Sequence, residues 1–318
     1  MLKSICDVPG ILVGHAQDVK GGTGCTVIIA ENAAVCGVNV AGGGPGTRET
    51  DALNPVNLVQ AVNAVYLGGG SAYGLAGADG VMQWCEENKK GFDVGVGIVP
   101  IVPGAVLFDL PVASYKSRPD ADMGYAACQN ASSTECRMGN IGAGTGATVG
   151  KSRGSAGIMK GGLGSASIKV GDVIIGAIVA VNCFGNVIDP SNGKIVAGVR
   201  PEGGGDFMDP THYMKQLIGS GINPLGGNTT IGLIATNAKL SKVQATKVSM
   251  MAQDGVARAI NPIHTMHDGD TVFTLATGEV EADVTALGAI AAEVMSEAIL
   301  AGVKAAKSAY GFPGLAGE

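Results

Sequence analysis

Residues 229–318 carry the pattern that most narrows the fold: strand, helix, strand, helix. Ile231–Thr236 is an apolar, β-branched run, and Ser241-x-x-Gln244 reads as a capping box opening a helix. Along that helix Ala245, Val248, Ala252, Val256 and Ile260 recur at helical spacing. Thr271–Thr277 is a second strand. A final helix from about Val284 sets Leu287, Ile290, Val294, Ala298 and Ala301 against Glu293, Glu297 and Lys304 on its other face. Two strands joined through a helix call for a layered α/β arrangement. Upstream, Cys25–Ala30 and Val173–Val181 read as buried strands. Leu53–Leu67 and Ser71–Asn88 read as helices split by Gly68-Gly69-Gly70, with Ser71 capping the second. No stretch has linker composition, so residues 1–318 are expected to form a single domain, although length alone would suggest two.

Composition removes several function classes. The chain has a formal net charge of −6, which gives no electrostatic footprint for nucleic acid or an anionic membrane. Only 15% of residues are charged, so apolar material for a core is ample and disorder is excluded. The 52 glycines follow no three-residue period, which excludes collagen-like repetition. Seven scattered cysteines without a C-x-x-C pair read as free thiols of a reducing compartment. The N-terminus lacks the apolar core of a signal peptide, and Val94–Phe108 is broken by Pro100 and Pro103 and too short to span a bilayer. A soluble, cytoplasmic protein is expected.

Most candidate motifs fail on spacing. Gly142-Ala-Gly-Thr-Gly-Ala-Thr-Val-Gly-Lys151-Ser152 ends like a phosphate-binding loop but has Thr145 where that motif needs glycine, and its glycines miss the dinucleotide fingerprint. His15, His212, His264 and His267 offer no metal-ligand spacing, and no G-x-S-x-G elbow supplies a serine for a triad. Neither a cofactor nor a metal is called for. There remains Gly226-Gly227-Asn228-Thr229-Thr230, just before the strand at Ile231. Such a segment makes an ordinary turn and strand start. It also suits an N-terminal nucleophile: the Thr229 hydroxyl attacks the Asn228 carbonyl, the ester hydrolyses, and the freed α-amine, with an intrinsic pKa of about 7.7–8.0, becomes its own general base.

Three further groups bear on that chemistry. His267-Asp268-Gly269-Asp270 is a common turn composition, yet if the strands at Ile231 and Thr271 are neighbours, both carboxylates reach the same sheet end as Thr229 and could orient its hydroxyl and ammonium. Lys151 is either a solvated surface lysine or a cation that depresses the pKa of the nucleophile. Asn182 is the polar exception inside the apolar run Ile178–Phe184; it is either satisfied within the core or a donor to an oxyanion.

Taken in order, these segments resemble the L-aminopeptidase/D-esterase family of self-processing N-terminal-nucleophile hydrolases, which includes β-aminopeptidases and 6-aminohexanoate (nylon) oligomer hydrolases. The similarity runs nearly end to end, through Asp7-Val-Pro-Gly-Ile-Leu-Val-Gly-His15, Pro45-Gly-Thr-Arg-Glu-Thr-Asp-Ala-Leu53, Leu67-Gly-Gly-Gly-Ser-Ala-Tyr-Gly-Leu75, Gly142-Ala-Gly-Thr-Gly146 with Lys151, Gly227-Asn-Thr-Thr-Ile231 and Asp268-Gly-Asp270. The resemblance implies a four-layer αββα sandwich, cleavage between Asn228 and Thr229 into an α chain (1–228) and a β chain (229–318), and assembly of these pairs as tetramers. It implies Thr229 as nucleophile, Asp268 and Asp270 as supporting acids, and Lys151 and Asn182 in activation and oxyanion binding. The expected activity is removal of N-terminal amino acids from small peptides or amino-acid amides. The alternatives are nylon-oligomer hydrolysis, acyl transfer of the ornithine-acetyltransferase type, and a non-catalytic binding protein on an inherited fold. Phe108 stands where nylon hydrolases carry tyrosine, so a hydroxyl donor near the substrate carbonyl is missing.

Overall fold

The computed structural model describes residues 4–218 and 227–317. Gly226 and the first three residues, which entered the sequence reading, lie outside them. Nine strands form the main sheet: β1 (Ile11–Asp18), β2 (Thr23–Val40), β3 (Gly46–Arg48), β4 (Val62–Gly68), β5 (Gly104–Val106), β6 (Gly162–Val170), β7 (Val173–Asn182), β8 (Thr229–Ala238) and β9 (Thr271–Val280). Their order is β6-β7-β8-β9-β2-β4-β5-β3, with β1 also paired to β2. The helices are α1 (Gly77–Glu87), α2 (Ala121–Gln129), α3 (Pro210–Leu217), α4 (Lys242–Ala259) and α5 (Val284–Lys304).

The long strand β2 serves two neighbourhoods. Its first part pairs with β1 and β4, the pairing to β4 shifts register between Ile29 and Ala34, and Val35–Val40 pairs with β9. Three apolar clusters follow from the two-residue period of the strands. Ala177, Val179 and Val181 of β7 join Ile234 and Val272 against α4 and α5. The alternate residues Ile178, Ala180, Ile231, Leu233, Phe273 and Leu275 share a second cluster with Ile28, Val65 and Leu67. The remaining faces of β2 and β4, at Cys25, Val27, Ile29, Ala64 and Tyr66, pack on Ala78, Val81, Cys85, Ala127 and Cys128.

The C-terminal elements match expectation, except that α4 ends at Ala259 and Ile260, expected on the helix, is already extended. Ser241 caps α4 and Gln244 reaches back to it, completing the capping box. The strands β8 and β9 are parallel neighbours with Ile231 opposite Thr271, so α4 is their crossover. By length and composition α5 could cross a membrane, yet its apolar face (Leu287, Ala291, Val294, Ala298) lies in the cluster beneath β7.

Two expectations are corrected. Leu53–Leu67 is not a helix: a short 3₁₀ turn, Asp51–Leu53, precedes the strand β4. Every residue of β4 is buried, so its apolar run shows no alternation from which the strand could be read. Ser71 caps nothing. It sits at φ 54° at the head of a 3₁₀ turn (Ser71–Ala76), its amide donates to Leu107 O at 2.9 Å, and α1 begins only at Gly77.

Candidate active site

Three strand ends meet at one edge of the sheet. Thr229 opens β8 and lies opposite Asn182, the last residue of β7, while Asp268 and Asp270 lie in the turn that leads into the parallel strand β9. This parallel pairing is what the Asp-Gly-Asp placement required. Thr229, Asn182, Asp268 and Asp270 are all buried.

The Thr229 hydroxyl donates to the carbonyl of Asn228, across the one peptide unit it would have to attack. Its other partner is the Gly269 amide, which donates to Thr229 Oγ1 at 3.2 Å and to Asn228 O at 3.1 Å. A single backbone N–H is thereby aimed at both the nucleophile and the carbonyl oxygen that would become an oxyanion. A Cβ at Gly269 would sit 2.9 Å from Thr229 Oγ1, so glycine permits this approach.

The carboxylates act on the frame of the site. Asp270 accepts from the Thr230 amide at 2.6 Å through Oδ1, and from His264 through Oδ2, both the backbone amide (3.1 Å) and Nδ1 (2.8 Å). Asp268 Oδ2 accepts from Thr265 N at 2.9 Å and Thr265 Oγ1 at 2.5 Å, while its Oδ1 is buried without a hydrogen bond. Burial, reinforced by the neighbouring Asp270 charge, raises the Asp268 pKa above the usual carboxylate range.

Lys151 is not a solvated surface lysine. Its Nζ donates to Gly227 O (2.9 Å), Asn182 O (3.0 Å) and Asn182 Oδ1 (2.8 Å), which is the full complement of an ammonium. Burial lowers its pKa to about 8, with Cys183, Asp268, Asp109 and Asp270 pulling the other way. Asn182 is held on both sides of its amide. Oδ1 also accepts from Thr148 N at 3.0 Å, and Nδ2 donates to Phe108 O at 3.1 Å, leaving its second hydrogen available.

Two cavities flank the Gly227–Asn228 segment and share Phe108 as a wall. One, of 410 Å³, runs past Lys151 and Ser152 and is lined with Pro111, Val112, Ile158, Phe184 and Phe312. The other, of 270 Å³, contains Thr229 and is walled by Pro45, Ser71, Val106, Met266 and His267. A Cβ at Gly227 would come within 2.8 Å of the Phe108 ring.

Sequence reasoning named Thr229, Asn228, Lys151, Asn182, Asp268 and Asp270, and the structure brings all six together. It missed Gly269 N, Thr265, His264, Thr148 N and Phe108 O. Of these only Thr265, three residues before Asp268, carries a local signal, since Ser or Thr at that spacing commonly hydrogen-bonds a following turn.

A model of peptidase family S58 matches residues 3–316. An uncharacterised aminopeptidase of Mycobacterium tuberculosis (strain ATCC 25618 / H37Rv) is 43% identical, covering 98% of this chain and 96% of the relative. A 6-aminohexanoate-oligomer endohydrolase of Kocuria sp. (strain KY2) is 33% identical over 94% of this chain and 85% of its own. Among solved structures, a Burkholderia sp. β-aminopeptidase superposes with TM-score 0.71 at 20% identity, covering 99% of this chain and 91% of that one. An L-aminopeptidase D-Ala-esterase/amidase of Ochrobactrum anthropi, described as a variant of the Ntn-hydrolase fold, gives 0.73 at 17% identity, covering 97% and 88%. By its end-to-end match and its close relatives, the chain belongs to peptidase family S58.

Proposed function

We propose that the protein is a self-processing aminopeptidase or amidase in which Thr229 first cuts its own chain and then acts as an N-terminal nucleophile on small peptides or amino-acid amides. The observation that carries this reading is the Thr229 hydroxyl set against the Asn228 carbonyl under the shared Gly269 N–H. Membership of a peptidase family and relatives named aminopeptidases support peptide-bond hydrolysis.

In the first step Thr229 Oγ1 bonds to the Asn228 carbonyl carbon, the bond from that carbon to the Thr229 nitrogen breaks, and the hydroxyl proton ends on that nitrogen. Water then splits the ester, leaving an Asn228 carboxylate and a free Thr229 amine. Gly269 N–H offsets the charge that develops on Asn228 O. The Lys151 ammonium holds Gly227 O, fixing the approach, and its positive charge favours both oxyanion and alkoxide. In the mature enzyme the Thr229 amine takes the hydroxyl proton as the substrate carbonyl is attacked and passes it to the departing amine. The unspent Nδ2 hydrogen of Asn182 supports the oxyanion, and water releases the acyl group.

Cleavage would leave the fragment in place, because β8 and β9 lie between β7 and β2 in the sheet. The three apolar clusters, each bounded by a different pair of faces, support reading the architecture as four αββα layers in a single domain. Assembly of the cleaved pairs into tetramers is also proposed. It is supported by the exposed apolar side chains Phe92, Val94 and Val96, and light scattering of the purified protein tests it. The seven free cysteines support a cytoplasmic location.

Intact mass under denaturing conditions tests the central claim. The expected result is a 90-residue species beginning Thr229-Thr230-Ile231, absent from the Thr229→Ala protein. A wild-type chain that stays whole through long incubation overturns it. The 33% identical nylon-oligomer hydrolase favours a second reading, oligomer hydrolysis. Phe108 argues against it, and a Phe108→Tyr variant no better than wild type on 6-aminohexanoate oligomers would dismiss it.

A further inference from the structure

We propose that Lys160 and Asp109, two buried charged residues remote from the nucleophile, are positioning residues that hold Asn182 in its reactive orientation by gripping the two backbone segments bound to its amide. This inference rests on the reading of Asn182 as the oxyanion donor. Lys160 is wholly buried, and its Nζ donates to Gly144 O (3.0 Å), Ala147 O (2.7 Å) and Gly161 O (2.9 Å). The residue after Ala147 is Thr148, whose amide donates to Asn182 Oδ1. The segment that looks most like a phosphate loop therefore turns carbonyls toward a buried amine, the reverse of an anion cradle.

On the other side of the amide, Asn182 Nδ2 donates to Phe108 O, and the next residue is Asp109. Asp109 accepts from Thr23 Oγ1 and from Gly70 N, each at 2.7 Å. The fit around it is close: a Cβ at Gly69 would lie 2.0 Å from Asp109 Oδ2, and one at Gly146 would lie 2.6 Å from Asp109 Cβ. Gly146 belongs to the loop that Lys160 grips, so the two anchors meet across glycines that only a missing side chain allows. Burial raises Asp109 to about 6 and lowers Lys160 to about 7, while each group's charge favours that of the other. An unpartnered buried charge is costly, and here the burial is spent on the two segments that orient a single amide.

The test is a double-mutant cycle on the full chain. It reads kcat for cleavage of an amino-acid amide, alanine p-nitroanilide, by the mature enzyme once processing of each variant is complete. Asp109→Asn keeps the shape and the acceptor for Gly70 N, puts toward Thr23 an NH2 that can donate to its hydroxyl, and removes the charge; it is expected to slow cleavage about 10-fold or more. Asn182→Ala is expected to slow it at least as much, and the double variant no further, since both act through one amide. A purely structural role for Asp109 would instead lower thermal stability and multiply with Asn182→Ala. Wild-type cleavage by Asp109→Asn, or independent multiplying effects, overturns the inference. Wild-type cleavage by Asn182→Ala overturns the reading of Asn182 and the inference with it. Should Asp109→Asn fail to fold, Thr23→Val, which withdraws one donor from Asp109, carries the same non-additivity at about 3-fold.

Discussion

Lys151 and Lys160 stand nine residues apart on either side of one short loop, and both spend Nζ on three oxygen acceptors. They differ in where those acceptors belong. Lys151 borders the 410 Å³ cavity and holds the carbonyl one residue before the Asn228–Thr229 bond proposed to be cut. Lys160 has no exposure, and its acceptors are all backbone carbonyls, two of them in the glycine-rich loop. One ammonium therefore faces the cavity beside Gly227 and the other fixes the wall behind it, and this exposure to the cavity, rather than residue type, separates the two lysines.

The largest expected effect would sharpen that contrast. Lys151→Met should slow self-cleavage by about 100-fold or more, because it removes the charge-assisted donor to Gly227 O and to Asn182. Its midpoint of urea unfolding should fall by less than that of Lys160→Met. Equal cleavage rates in the two variants would erase the distinction. Lys160→Met should in turn lose about 3 kcal/mol of stability near pH 7, since three buried carbonyls forfeit their donor, with denaturant titration as the readout.

pH separates the pair more finely. Lys151 loses its proton near pH 8, so the cleavage rate should decline above that value as the cation on Gly227 O is lost. A rate that climbs through pH 8 would mean that Lys151 acts as a base. For stability the sign is set by the depressed folded pKa of Lys160, about 7 against 10.5. Between those values the unfolded chain still binds a proton that the folded chain has released, so stability rises with pH across that window. Between pH 7 and 9 wild type should gain up to about 2 kcal/mol relative to Lys160→Met, measured by urea midpoints at each pH. The smallest effect is the control: Ser241→Ala, at the cap of α4 and far from both lysines, should cost about 1 kcal/mol and leave the cleavage rate unchanged.

The parts of this molecule whose signal is local are legible in the residues alone. The capping box at Ser241 and Gln244, the apolar period of α4 and α5 and the short β-branched runs of β8 and β9 are short-range patterns, and each appears where its residues indicate. Thr229 and the two aspartates are legible for the same reason, their place at a strand start: Thr229 opens β8, and Asp268 and Asp270 lie three and one residues before β9. Tertiary structure alone decided the rest. Strand β4 reads as helix because burial on both faces removes the alternation that marks a strand, and the apolar residues from Leu53 to Leu67 extend over a helix-sized length where those of β8 form a short run. Gly269 N–H could not be foreseen because a backbone donor has no letter in the sequence; only the parallel pairing of β8 with β9 brings it to Thr229. Asp109 and Lys160 lie 51 positions apart, and Asn182 lies 22 beyond Lys160, so no local pattern relates them. Their relation arises when the folded chain excludes water from all three, because charges and amides without solvent must find partners wherever the packing places them.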